Sequence, residues 1–217
     1  SGRYKVVAGK PLPPEMLAES PADVAAGLAN LGHHLDIVAG AGVPAVVAIN
    51  AFPGDHDSEH EVIRRFAAQR GVRVAVTRHV AQGGAGATDL VTQVLDATEE
   101  ETHLRYTYEL TDSLTDKLHK LATKVYGADG VELAPAAAAD LRRFTDLGYG
   151  ELPVLVAKTH LSTTATPADR GAPTGWTLPI REVRLAAGAG YVYALSGQMQ
   201  TMPGLGSLPA YRHIDID

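Results

Sequence analysis

Between Pro44 and Gly86 the chain reads PAVVAINAFPGDHDSEHEVIRRFAAQRGVRVAVTRHVAQGGAG, and this stretch constrains the fold more than any other. Two apolar runs, Pro44–Ile49 and Val72–Val76, are bounded by turn residues and have the length of buried strands. The segment between them is helical, opening near Asp57-Ser58 with Val62, Ile63, Phe66 and Ala67 on its inner face. Arg70-Gly71 closes it, a basic residue followed by glycine, as a helix C-terminus favours. Strand, helix and strand make a βαβ unit, and open α/β sheets bind ligands beyond the carboxyl ends of their strands. One of these ends carries Phe52 beside Pro53-Gly54, and the other leads to Gly83-Gly84-Ala85-Gly86.

The flanking segments extend the pattern. Ser20-Pro21 starts a helix with a capping hydroxyl and a proline at the first position. Val24, Leu28, Leu31, Leu35 and Val38 form its buried face, and Gly40 and Gly42 end it. Thr88 opens another helix, with Leu90, Val91, Val94 and Leu95 expected inward. Repeated strand–helix units with short connections predict an α/β chain carrying part of a parallel, doubly wound sheet. After the polar run at Thr98, Leu104, Tyr106, Tyr108 and Leu110 alternate with other residues, the period of a strand with one wet face. Asp112-Ser113 caps an amphipathic helix running to Val125 and stopped at Gly127. Pro135 begins a further helix ending at Leu147-Gly148. Leu152–Ala157, Glu182–Leu185 and Tyr191–Leu195 read as strands, and residues 162–177 as a long loop holding the only tryptophan, Trp176. Met199–Leu205 is expected to form a rigid turn. These features suggest two parts: residues 1–98, with the βαβ unit, and 99–217, a smaller C-terminal α/β domain.

Hydrophobic content of 45%, charged content of 20% and a net charge of −6 describe an ordinary globular chain and argue against nucleic-acid binding. No apolar run is long enough to span a bilayer. Zero cysteines exclude disulfides, thiolate zinc sites and a thiol nucleophile, and make a cytoplasmic setting the expectation. The start at Ser1-Gly2 suggests either a tag scar or a piece of a longer polypeptide.

Several residues could carry chemistry. Backbone N–H groups of the Gly83–Gly86 loop, just ahead of a helix, could cradle an anion, although no G-x-x-x-x-G-K-[ST] motif occurs and no ATP site follows. His56 and His60 lie four apart and could share a metal, but they stand among carboxylates at a helix start with no third ligand at defined spacing; no metal is expected. His33 and His34 are adjacent, so they are expected to point differently and not to share a metal. Phe52 is either core or a flat face for a planar ligand. Lys158-Thr159-His160 occupies another strand end with the same ambiguity. Ser162, His160 and an aspartate would make a triad only on paper, since no G-x-S-x-G elbow is present.

Taken together, an ordered series of segments resembles the C-terminal part of the formate–tetrahydrofolate ligase family. It runs through Val43–Pro53, Gln82–Gly86, Val125–Glu132, Gly148–Val154, Ala157–Ser162, Pro173–Leu178, Arg181–Arg184, Gly188–Gly190 and Thr201–Leu205 to the closing Ile214–Asp217. The family joins formate, ATP and tetrahydrofolate through formyl phosphate, because formate becomes a good electrophile only once phosphate is its leaving group. The resemblance implies a P-loop NTPase-like family fold whose P-loop half, with its ATP and Mg sites, is absent here and lies in the same gene or a partner chain. It also implies homo- or hetero-oligomeric assembly, with tetrahydrofolate as the substrate this part receives.

In the family the pterin is sandwiched between two aromatics. Phe52, followed by Pro53, matches the first; the second position is Val80, where the family has tryptophan. Gln82 stands where a lysine is common, just before Gly83 and Gly84. Aromatic stacking contributes about 1 kcal/mol beyond area burial, so Val80 implies weaker pterin binding. The folate residues implied are thus Phe52, Pro53, Val80, Gly83 and Gly84, with the catalytic groups unknown. The alternative is a non-catalytic binding or regulatory module that kept the fold.

Overall fold

The computed structural model describes residues 11–197 and Arg212. The expected turn at Met199–Leu205, the first residues and the closing Ile214–Asp217 lie outside the described residues. Helix α1 (Pro21–Gly40) leads into β1 (Val46–Asn50), α2 (Asp57–Gln69) and β2 (Arg73–Thr77). A short α3 (His79–Gln82) and a 3-10 turn (Gly83–Ala87) precede α4 (Thr88–Thr98). The second half runs α5 (Leu114–Lys124), β3 (Gly130–Leu133), α6 (Pro135–Phe144), β4 (Val154–Ala157), β5 (Thr177–Ile180), β6 (Glu182–Ala186) and β7 (Tyr191–Leu195).

The architecture is α/β with parallel pairings, as the βαβ pattern requires. Strands β1 and β2 pair parallel from Val46 opposite Arg73 to Asn50 opposite Thr77. Among the described residues the strands form three small sheets. Strands β3 and β5 pair parallel; β4 and β7 pair parallel, and β7 pairs antiparallel with β6. No helix among the described residues is long and apolar enough to cross a membrane.

The largest core cluster lies wholly between Leu114 and Ala194, where α5 and α6 pack on the β3–β7 strands through Leu118, Leu141, Phe144, Leu178 and Val192. Helix α5 starts as its sequence requires: Ser113 Oγ accepts from the Asp116 N–H at 3.1 Å. Gly127 (φ +71°) then turns the chain into the left-handed region.

Four expectations change. Ser20 does not cap α1 with its hydroxyl: Oγ donates to Asp23 Oδ2 at 2.9 Å and accepts no backbone N–H of the first turn. Residues 104–110 form no strand. His103 and Arg105 donate backbone N–H bonds to Gly42 and Ala41, and Leu104, Tyr106 and Leu110 stay exposed, so the alternation marks an extended tether without a ladder partner. Of the four α4 residues expected inward only Leu90 is half-buried; Val91, Val94 and Leu95 face outward, and Ala97 is the buried residue of this helix. Finally, β3 and β5 occupy segments with no strand pattern in the sequence. Each has four residues, and β5 contains Pro179, which ordinarily argues against a ladder.

Candidate functional site

The parallel register sets the carboxyl ends of β1 and β2 side by side. The Ala51 N–H extends the ladder by donating to the Thr77 carbonyl at 2.9 Å, which brings the chain to Phe52. There the Asp55 carboxylate turns back and accepts from the Phe52 N–H at 2.8 Å, while Gly54 (φ +100°) supplies a conformation other residues avoid. The turn thereby holds Phe52 out of the core, 50% exposed, with Pro53 exposed beside it. Asp55 escaped sequence reasoning as a turn residue; its Asp three residues after an aromatic is a signal that could have been read.

On the β2 side, Thr77 is buried, with Oγ1 3.0 Å from His79 Nδ1. Val80 on α3 is 54% exposed. The glycine cluster divides by physical need. Gly83 adopts φ +58°, ψ −146°, which a side chain would strain. At Gly86 a Cβ would lie 2.6 Å from the Arg78 backbone, whose N–H donates to the Gly86 carbonyl at 2.8 Å. Gly84 has neither constraint: its φ is not positive and open space surrounds a Cβ there. Phe52 and Pro53 follow the carboxyl end of β1, and Val80, Gly83 and Gly84 follow that of β2; all five are exposed.

Beside this edge, Asp57 Oδ1 lies 3.9 Å from Arg78 Nη2 and 3.7 Å from His60 Nδ1, and Asp55 Oδ2 lies 3.9 Å from His60 Nε2. His60 is buried; among the described residues neither its Nδ1 nor His56 Nε2 has a hydrogen-bond partner. Among the described residues no group of three or more His, Cys, Asp or Glu is placed to hold a metal ion.

A second polar cluster follows β4. Lys158 Nζ donates to the carbonyls of Thr159 (3.0 Å), Thr164 (3.2 Å) and Ser162, and lies 5.1 Å over the Tyr126 ring. Burial lowers the Lys158 pKa and raises that of the Tyr126 hydroxyl. Ser162 Oγ is engaged by Thr164, and among the described residues no hydrogen bond joins it to His160, so the paper triad is not assembled. His33 and His34 sit edge to face, ring centroids 5.9 Å apart, and line the same cleft as Lys158. More than a hundred residues separate them in sequence, and no local pattern could have joined them.

Residues 4–217 match the family model described as formate–tetrahydrofolate ligase. Similar curated proteins include the formate–tetrahydrofolate ligases of Cutibacterium acnes and Saccharopolyspora erythraea, each 56% identical over 217 residues and the whole of this chain. That of Roseiflexus sp. is 52% identical over 218 residues, again covering the whole chain. The chain spans 38% of the first two relatives' length and 39% of the third's.

Proposed function

Because the chain belongs to the formate–tetrahydrofolate ligase family, we propose that it supplies the folate-binding side of an ATP-dependent ligase that makes 10-formyltetrahydrofolate through formyl phosphate. The observation that carries this reading is Phe52, a half-exposed aromatic just past the carboxyl end of a parallel strand, with Gly84, a glycine that nothing in the fold requires, following the carboxyl end of the next. A flat pterin would stack on Phe52 while Gly83 and Gly84 let it approach the backbone. Val80 would give the opposite wall only an aliphatic contact.

ATP and Mg belong, in this reading, to a P-loop half in the same gene or a partner chain. The sequence holds no P-loop motif for that role. The surface supports a missing partner. A parallel sheet ordinarily has helices on both faces and several strands, yet β1 and β2 stand as a pair and Ala48 is exposed within β1. Val91, Val94 and Leu95 present an apolar stripe on α4, and most of a relative's length lies outside this chain. Residues 1–98 would then be a piece of the larger doubly wound sheet and 99–217 a smaller domain, in a cytoplasmic homo- or hetero-oligomer.

Val80 and Gln82 favour a second reading, a binding or regulatory module without catalysis. Calorimetry with tetrahydrofolate tests both. The chain should bind tetrahydrofolate without hydrolysing ATP, Val80→Trp should tighten binding several-fold through stacking worth about 1 kcal/mol, and addition of the remaining portion of a relative's ligase should restore 10-formyltetrahydrofolate synthesis. Binding without restored synthesis supports the module. ATP turnover by the chain alone, or no binding by either the chain or Val80→Trp, overturns the assignment.

A further inference from the structure

A cleft of about 580 Å³ opens between α1 and the loop that follows β4, within the size range of small-molecule sites. His33 and His34 line it from α1; Tyr126, Lys158, His160 and Arg170 line it from the other side. None of its lining residues is Asp or Glu. In a chain of net charge −6 this is an unusual concentration of positive and imidazole groups.

The cations of this cleft are hydrogen-bonded but not neutralised. Lys158 donates to three backbone carbonyls, which orient the ammonium and bring no negative charge. Burial depresses its pKa, and no carboxylate acts to raise it again. Arg170 donates through Nη1 to the Leu161 carbonyl at 2.8 Å and, among the described residues, has no ion-pair partner. Among the described residues the buried His33 Nε2 has no hydrogen-bond partner, although nearly all such atoms in folded proteins find one. A concave site lined by one sign of charge concentrates ions of the other.

We propose that this cleft binds a small polyanion through its oxyanion groups, with Arg170 and Lys158 supplying charge and the imidazole of His33 forming part of the wall on the α1 side. Phosphate and carboxylate oxygens share this chemistry, and the choice of probe separates them. Inorganic pyrophosphate and citrate would each be titrated calorimetrically into the 217-residue chain, with the imidazole resonances followed by NMR. Saturable binding of pyrophosphate alone would assign a phosphate ligand, of citrate alone a carboxylate ligand, and of both a general oxyanion site.

Arg170→Gln, at an exposed loop position, should weaken the bound probe about tenfold or more, as loss of a charged hydrogen bond does. His33→Phe should weaken it independently, and Arg143→Gln, outside the cleft and paired with Asp140, should leave it unchanged. Circular dichroism melting would verify that each variant is folded, and Arg170→Gln decides if His33→Phe is not. No saturable binding of either probe, equal weakening by Arg143→Gln, or indifference to Arg170→Gln would each overturn the proposal. Tetrahydrofolate binding at the Phe52 edge is a separate titration, so failure of one site does not bear on the other.

Discussion

Gly84 separates two reasons for a glycine. Gly83 and Gly86 are required by the chain itself, one by its backbone angles and the other by the 2.6 Å approach to Arg78. A methyl group at Gly84 meets nothing within 4 Å. Gly84→Ala should therefore leave the melting temperature unchanged or slightly raised, because it reduces the freedom of the unfolded chain. Calorimetry should nonetheless show weaker tetrahydrofolate binding if a pterin packs on this backbone; unchanged affinity in a folded variant would remove Gly84 from the proposed pocket. At Phe52 the residues alone left core and ligand face open and the family resemblance made the choice; the side chain is half exposed, held out by the turn that Asp55 closes. Ser20 shows the limit of such reading: a capping hydroxyl was the ordinary expectation, yet its Oγ donates to Asp23 and accepts no backbone N–H of the helix.

At the scale of elements, helices were read well where period and caps agreed. Helix α5 shows this, with Ser113 at its start and Leu114, Leu118 and Ala122 buried. Strands were read less well, because an alternating pattern marks extended backbone without revealing whether a partner strand exists. Tyr108 shows what the 104–110 segment does instead. Its hydroxyl donates to the Val154 carbonyl at 3.0 Å and accepts from the Val154 N–H at 2.8 Å, so it satisfies the free edge of β4 as a neighbouring strand would. Val154 is buried, and water would not readily replace these bonds. Tyr108→Phe should cost about 1–2 kcal/mol in urea unfolding; an unchanged midpoint would show that the clamp contributes nothing.

Helix α5 also carries a fully buried lysine. Lys117 Nζ donates to the carbonyls of Gly150 (2.8 Å) and Leu152 (3.0 Å). Burial lowers its pKa from 10.5, with Asp112 and then Glu151 partly opposing the shift. Between the folded pKa and 10.5 the unfolded chain binds more protons, so stability should rise with pH through that window. Burial raises the Tyr126 pKa above 10.0, so ionisation of the unfolded chain should begin to reverse the gain beyond that pH. Urea midpoints measured across alkaline pH should show this rise, and Lys117→Met should reduce its slope. The same slope in both proteins would assign the effect to other groups, of which Lys158, also lowered by burial, is the first.

For the whole molecule, the βαβ unit was legible and its surroundings were not. Val91, Val94 and Leu95 have the spacing of a buried face, and the expectation that they point inward is sound helix reasoning. What covers them on the reading proposed above lies outside this chain. The two halves are also fastened differently. The first is tied by ion pairs that face water, Arg70 with Asp36 at 2.6 Å and Arg73 with Glu100. In the second the exposed ion pairs join near neighbours in sequence, such as Arg143 with Asp140 and Arg184 with Glu182, and the buried Lys117 is held by backbone carbonyls instead. Dissolved ions screen exposed charges over about 8 Å at physiological ionic strength and reach buried ones far less. Brine should therefore loosen the frame of α1, β2 and α4 while sparing the Leu114–Ala194 core, making salt a means of relaxing one half of the chain without disturbing the other.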